Sequence, residues 1–242
     1  MNAIIICVDY ADFLGVTLPY NRHHFDRVLV VTTHKDTETQ VVATANNAEL
    51  FLTDDFYACG AHFNKWLPLE QGLDRLGRHG WLCILDADIL WPKTIPIYTL
   101  TKGSLYTPLR RMQFNLDNGP CLNEAAWAMY PHHTNMREFA GWTQIFHAED
   151  EHLGEAPWHE INWKHAGGAD SFFQARWPAQ CKIRPPFEVL HLGTPGTNWC
   201  GRTTEFLDGR MAPFPEKKAT LQEIILERRG KPLKERYNTE RF

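Results

Sequence analysis

The chain has 242 residues, of which 43% are hydrophobic and 22% charged, and its formal net charge is -4. That length supports one large domain with its own core, and the composition excludes wholesale disorder. The mildly negative charge excludes coating nucleic acid by charge alone, and no apolar run approaches the roughly 18 residues of a membrane span.

The first ninety residues alternate short β-rich runs with helical patterns, which predicts βαβ units and a largely parallel sheet. Ala3 to Val8 is a continuous apolar run ending at Asp9, as expected of a strand covered on both faces. Val28 to Thr33 repeats that form and leads into His34-Lys35-Asp36, and Glu49 to Thr53 closes on Asp54-Asp55. Trp81 to Leu85 is the most apolar strand and closes on Asp86-Ala87-Asp88. Between the third and fourth strands, residues 63–76 show near-helical spacing, with Leu67, Leu73 and Leu76 expected to face the sheet. The helix is expected to start near Pro68, where a missing N–H is harmless.

The second half is less regular. Ser104 to Thr107 and Gly141 to Phe146 read as strands, Ala169 to Trp177 as a short helix after Gly167-Gly168, and Glu188 to Leu192 as a last strand. A loop follows from Gly193 to Gly201. The tail from Glu216 holds eight Lys/Arg against five Asp/Glu and predicts a solvated amphipathic helix. With no repeat or linker, the expectation is a single domain over 1–242: a nucleotide-binding half at about 1–100, an acceptor half at about 101–215, and a basic tail at 216–242. The six cysteines include no C-x-x-C pair, and residues 1–9 lack a basic leader, so reduced thiols and a cytoplasmic location are expected. Nine tryptophans suit a broad binding cleft or a large core.

In open α/β sheets ligands sit beyond the carboxyl ends of the strands, where Asp9, Asp36 and the Asp86/Asp88 pair all fall. A lone Asp after a strand is a common turn former or helix cap. The Asp86-Ala87-Asp88 triplet differs, because on an extended backbone residues two apart point to one side. Two such anions repel unless a cation sits between them, and hard oxygen ligands suit Mg²⁺ or Mn²⁺, which can then hold a nucleotide diphosphate. No G-x-G-x-x-G, P-loop, G-x-S-x-G or H-E-x-x-H motif occurs, which removes the dinucleotide, P-loop, serine-hydrolase and zinc-protease readings.

Three segments in order resemble the GT-A glycosyltransferases over roughly residues 3–202. They are the strands ending at Asp9 and Asp36 followed by Leu85-Asp86-Ala87-Asp88, then Gly167-Gly168-Ala169-Asp170, then Val189-Leu190-His191-Leu192-Gly193. The resemblance implies an α/β, Rossmann-like, mostly parallel sheet flanked by helices, with a less regular acceptor side. It implies a metal-dependent, inverting transfer of sugar from a nucleotide-sugar donor, expected to be a UDP-sugar, to an acceptor hydroxyl. Asp86, Asp88 and His191 would hold the metal, with the imidazole tilting it toward Mn²⁺ over Mg²⁺. Lys65 and Arg202 would meet the diphosphate, Asp9 and Asp36 would line the base and ribose pocket, and Asp170 would be the general base. Asp170 as a plain helix cap, His191 as a core histidine and solvated lysine or arginine are the competing structural readings.

Trp199 in the 193–201 loop is a candidate lid residue, and Trp142, Trp158 and Trp163 are candidates for stacking or for the core. Acceptor glycan, protein or hydroxylated DNA remain open, the last through the basic tail. A sugar-nucleotide nucleotidyltransferase is the enzymatic alternative, although the acidic Asp9-Tyr10-Ala11-Asp12 stands where such enzymes carry a glycine-rich basic loop. A non-catalytic carbohydrate-binding protein on the same fold is the other.

Overall fold

The computed structural model describes residues 1–96, 99–133, 139 and 141–193. Its frame is a seven-stranded sheet. β1 (Asn2–Ile6) lies between β2 (Arg27–Thr32) and β4 (Trp81–Asp86), with β3 (Glu49–Leu52) outside β2, and these four are all parallel. β8 (Thr143–His147) pairs antiparallel with β4, and β6 (Leu105–Tyr106) and β9 (Lys182–Ile183) complete the order β3-β2-β1-β4-β8-β6-β9. A second sheet sets β10 (Glu188–Leu192) between β5 (Ile89–Leu90) and β7 (Leu109–Gln113).

The apolar runs become strands because both faces of the sheet are covered. Ala3, Ile5, Val28, Val30, Cys83 and Leu85 point to one face, where Leu14 and Leu18 of α1 (Ala11–Asn21) and Ala43 of α2 (Thr37–Ala45) pack. Ile4, Leu29, Val31, Leu82 and Ile84 point to the other, against α3 (Trp66–Leu76) and α4 (Ala169–Gln174). α3 begins where Asn64 Oδ1 accepts the Trp66 N–H at 3.0 Å. Its buried stripe is Trp66, Leu69, Leu73 and Leu76, whereas Leu67, expected on the sheet side, is only half-buried. Pro68 sits in the first turn, as expected. Gly72 lets the helix lie close on the sheet: a Cβ there would stand 2.6 Å from Ile4 Cδ1 and 2.9 Å from Val31 Cγ2.

α1 carries no clear helical periodicity, because it is buried on two sides. Leu14 and Leu18 pack on the first sheet, while Phe13 joins Leu90, Leu116, Trp127, Leu190 and Leu192 beneath the second. β7 escapes sequence patterning because Leu-Arg-Arg-Met-Gln contains no apolar run. The expected strand at 141–146 is shifted to Thr143–His147, and the expected helix at 169–177 ends at Gln174. None of the cysteines at 7, 59, 83, 121 and 181 is in a disulfide. Among the described residues no helix is long and apolar enough to cross a membrane. The tail from 216 and the 194–201 part of the expected lid loop lie outside the described residues.

Candidate active site

From β1 the chain builds outward through β2 and β3, then returns to place β4 on the other side of β1. A strand-order reversal of this kind opens a crevice beyond the carboxyl ends of the two central strands. Asp9 follows β1 there, and Asp86 ends β4.

The Asp86-Ala87-Asp88 triplet leaves the extended conformation after Asp86, and residues 87–88 form a turn into β5. The expectation that both carboxylates share one side of a strand is corrected accordingly. Four backbone contacts hold the turn: Asp86 N–H donates to Trp142 O at 3.0 Å, Leu192 N–H to Asp88 O at 2.9 Å, Thr17 Oγ1 to Ala87 O at 2.6 Å, and Asn21 Nδ2 to Ile89 O at 2.7 Å. Sequence reasoning missed Thr17 and Asn21. The available signal was two polar residues four apart on one face of an otherwise apolar helix.

Asp88 is buried and its Oδ1 has no hydrogen-bond partner among the described residues. Burial pushes its carboxyl up to about 6, against the pull of Arg110 and Lys65. Burial also raises Asp86, reinforced by the Asp88 charge and opposed chiefly by Lys65. Lys65 Nζ stands 3.3 Å from Asp86 Oδ1. Burial works against the ammonium, yet the charges of Asp86, Asp170 and Asp88 outweigh it and hold Lys65 above the ordinary lysine value. His191, in the central strand of the second sheet, brings Nε2 to 3.8 Å from Asp88 Oδ2. Burial and the Arg110 charge push this imidazole down to about 3, so it is neutral and has a lone pair to offer.

Asp88, with its orphaned Oδ1, and the neutral His191 imidazole beside it are an oxygen and a nitrogen donor of the kind Mn²⁺ takes. The set is open. No group of three or more His, Cys, Asp or Glu side chains able to hold a metal ion is gathered among the described residues, and Asp86 is committed to Lys65. Divalent ions bound through one or two carboxylates characteristically complete their shells with substrate phosphates and water.

Asp170 lies in the first turn of α4, behind Gly168, whose φ of 102° is a left-handed conformation that favours glycine. The cap residue is Gly168, and Asp170 instead accepts the Gly141 N–H on Oδ2 at 2.8 Å and its neighbour Ser171 N–H on Oδ1 at 3.0 Å. Gly141 precedes Trp142, the acceptor for Asp86 N–H. One dipeptide therefore ties Asp170 to the end of β4.

Asp36 is buried, and both of its oxygens are engaged. Oδ1 accepts the Thr39 N–H at 3.1 Å as the cap of α2, and Oδ2 accepts Asp9 N–H at 2.8 Å and Thr32 Oγ1 at 3.0 Å. Asp36 thus shapes the loop after β1, where Asp9 is held at φ 58°. Burial, and then the charges of Asp9, Asp36 and Asp54, push the Tyr57 hydroxyl up to about 12. Tyr57 was not anticipated from sequence. Trp142, Trp158 and Trp163 are all core residues. Arg202 and Trp199 lie outside the described residues.

No protein-family model matches the chain, and no curated protein does. Solved structures do. Glucosyl-3-phosphoglycerate synthase from Mycobacterium tuberculosis, in complex with Mn²⁺, UDP-glucose and phosphoglyceric acid, is 12% identical with a TM-score of 0.51, covering 96% of this chain and 80% of its own. A mycobacterial protein is 14% identical with a TM-score of 0.50, covering 96% and 75%. A mannosyltransferase from Pyrobaculum calidifontis, in complex with GDP-Man and Mn²⁺, is 15% identical with a TM-score of 0.49 over 78% of this chain, which spans 56% of that enzyme's length. The parallel β3-β2-β1-β4 frame, its antiparallel partner β8 and the helices on both faces make this a chain of the GT-A glycosyltransferase fold.

Proposed function

We propose that the protein is a metal-dependent glycosyltransferase that moves a sugar from a nucleotide diphosphate donor, a UDP-sugar, to an acceptor hydroxyl with inversion. The observation that carries this reading is the pairing of Asp88 with His191 and of Asp86 with Lys65 at the strand-order reversal of a GT-A fold, with Asp170 tied to the end of β4 through Gly141 and Trp142. The neighbour solved with Mn²⁺ and UDP-glucose supports the choice of metal and donor class.

Asp88 and His191, with Asp86 alongside, would hold Mn²⁺, which supplies charge stabilisation for the departing diphosphate. Lys65, kept cationic by three carboxylates, would neutralise the same leaving group from the α3 side, and Arg202 is proposed to join it. Asp9, on the loop shaped by Asp36, and Tyr57, which follows β3, would border the base and ribose. Asp170, oriented by Gly141 N–H, would take the acceptor proton as the hydroxyl attacks the anomeric carbon.

Thermal-shift measurements with UDP-, GDP- and TDP-sugars, each with Mn²⁺ or with chelator, test the reading. A donor in large excess should raise the melting temperature by several degrees only when metal is present. Failure of every nucleotide sugar, with every metal, would rule it out.

A further inference from the structure

A single imidazole separates the two helices that carry Lys65 and Asp170. Lys65 immediately precedes α3, whose first residue is Trp66, and Asp170 lies in the first turn of α4, which also holds Phe173. His159, from the irregular stretch between β8 and α4, lies between them. Its ring centre is 5.2 Å from that of Trp66 and 4.1 Å from that of Phe173, at interplanar angles of 18° and 15°. The Lys65 ammonium packs on Trp66 in turn, with Nζ 4.7 Å from the centre of the indole. The contacts Lys65, Trp66, His159, Phe173 therefore run from the cation assigned to the diphosphate to the helix of the assigned base.

The ring is fastened at one end. Nδ1 meets Glu70 Oε1 at 2.6 Å, and the same oxygen accepts the His159 backbone N–H at 2.9 Å, so ring and backbone are both pinned to α3. Nε2 is buried and has no hydrogen-bond partner among the described residues. Burial, opposed chiefly by Glu70, holds the imidazole below the ordinary histidine value, so the neutral ring gives its one N–H to Glu70. With one nitrogen spent on Glu70 and the other without a partner, the ring acts through its faces rather than by moving a proton. The side chain is wholly buried and meets no substrate itself.

Stacked rings in a close-packed interior hold a fixed separation, and losing one shifts its neighbours. That separation matters in the layer above. The charge of Asp170 reaches Lys65 and, with Asp86 and Asp88, keeps its ammonium above the ordinary lysine value. In a transfer site a misplacement of about 1 Å costs about a hundredfold in rate.

We propose that His159 is a positioning residue: its ring, oriented by Glu70, is the spacer between Trp66 and Phe173 that sets how far Lys65 stands from Asp170. The roles of Lys65 and Asp170 rest on the transferase reading, whereas the spacer geometry does not.

Two substitutions of the full chain separate the ring from its hydrogen bond. H159F keeps a flat ring and gives up Glu70; H159N keeps an amide N–H for Glu70 and gives up the ring. Both are titrated calorimetrically with UDP in Mn²⁺ and assayed for release of UDP from UDP-glucose with water as acceptor. H159F should melt lower than wild type yet stay within threefold of it in UDP affinity and turnover. H159N should bind UDP fivefold or more weakly, turn over tenfold or more slowly, and add less than twofold to the weakening caused by K65M. The UDP titrations decide alone if water proves too poor an acceptor. Unliganded melting curves check each fold. Should H159F not fold, F173L, which keeps His159 and Glu70 and removes one face of the stack, must weaken UDP binding at least threefold. The proposal is overturned if H159N binds UDP like the wild type, if H159F loses as much as H159N, or if H159N and K65M weaken UDP additively. Wild-type protein that binds no UDP removes the transferase reading and the proposal with it; wild-type binding that His159 does not influence removes the proposal alone.

Discussion

The four parallel strands and the segment from 148 to 168, which runs from β8 to α4, are held by different forces. β1, β2 and β4 are joined by continuous backbone ladders and covered by apolar side chains on both faces. The later segment has no strand or helix of its own and, beside its buried Trp158 and Trp163, is tethered by discrete polar contacts. His62 N–H donates to Lys164 O, Asn64 Nδ2 to Ile161 O, and Arg176 Nη1 to Leu153 O. At its centre the buried Glu70 accepts Trp158 N–H at 3.0 Å, His159 N–H at 2.9 Å and Arg78 Nη2 at 2.7 Å, and bonds His159 Nδ1 at 2.6 Å. The His159 ring is sandwiched between Trp66 of α3, at 5.2 Å, and Phe173 of α4, at 4.1 Å. The donor side is thus a distributed structure, while the placement of Asp170 depends on a few buried polar groups.

Five substitutions would break or sharpen that contrast. The largest effect is expected at Asp88. Asp88→Asn should abolish the metal-dependent donor shift while the metal-free protein melts no lower than wild type, because a carboxylate pushed up by burial destabilises the fold when ionised. Thermal shifts with and without Mn²⁺ read both, and a surviving metal-dependent shift would remove Asp88 from the site. Asp170→Asn comes next. Its amide oxygen can still accept from Gly141, so donor affinity should be kept while transfer falls by about 10²–10⁴-fold. A rate within threefold of wild type would end its assignment as base.

Glu70→Ala should cost about 2–5 kcal/mol in chemical denaturation, since it strands two buried backbone donors and leaves Arg78 with Asp74 as its one carboxylate partner among the described residues. Burial alone would raise the Glu70 carboxyl, but His159 and Arg78 hold it below the ordinary value. Its contribution is therefore complete above the unfolded glutamate value and is lost as pH falls through the folded one, so the gap between variant and wild type should close in acid. Any surviving Glu70→Ala activity should lose turnover more than donor affinity. Leu29→Ala, in the parallel strands, should lose stability of comparable size, about 2–5 kcal/mol, without that split. Smallest is Gly72→Ala, expected to cost about 1–3 kcal/mol by forcing α3 off Ile4 and Val31, with the donor shift intact at low temperature.

The parallel half was legible because a strand buried on both faces needs an unbroken apolar run, and 3–8, 28–33 and 81–85 each have one. Asp86, Asp88, Asp170 and His191 were readable as chemistry-bearing residues at the ends of such runs or after a glycine pair. α1 was not legible, because burial on two sides removes amphipathic periodicity. β7 was hidden by its arginines, one of which, Arg111, is neutralised by Glu188 from the neighbouring strand. Glu70 looked like an ordinary helical glutamate, since its partners lie about ninety residues later.

The amino-acid order by itself determined the parallel frame, the carboxylates at its carboxyl edge and the glycine pair before Asp170, because each follows from local periodicity or backbone freedom. Only the tertiary structure decided that Asp86 faces Lys65, that Asp88 faces His191, that Asp36 is spent on the loop after β1, and that Glu70 meets His159. Those are pairings between segments far apart in the chain. They are set by which buried charges find a partner when the second half folds onto the first, and no local pattern records that choice.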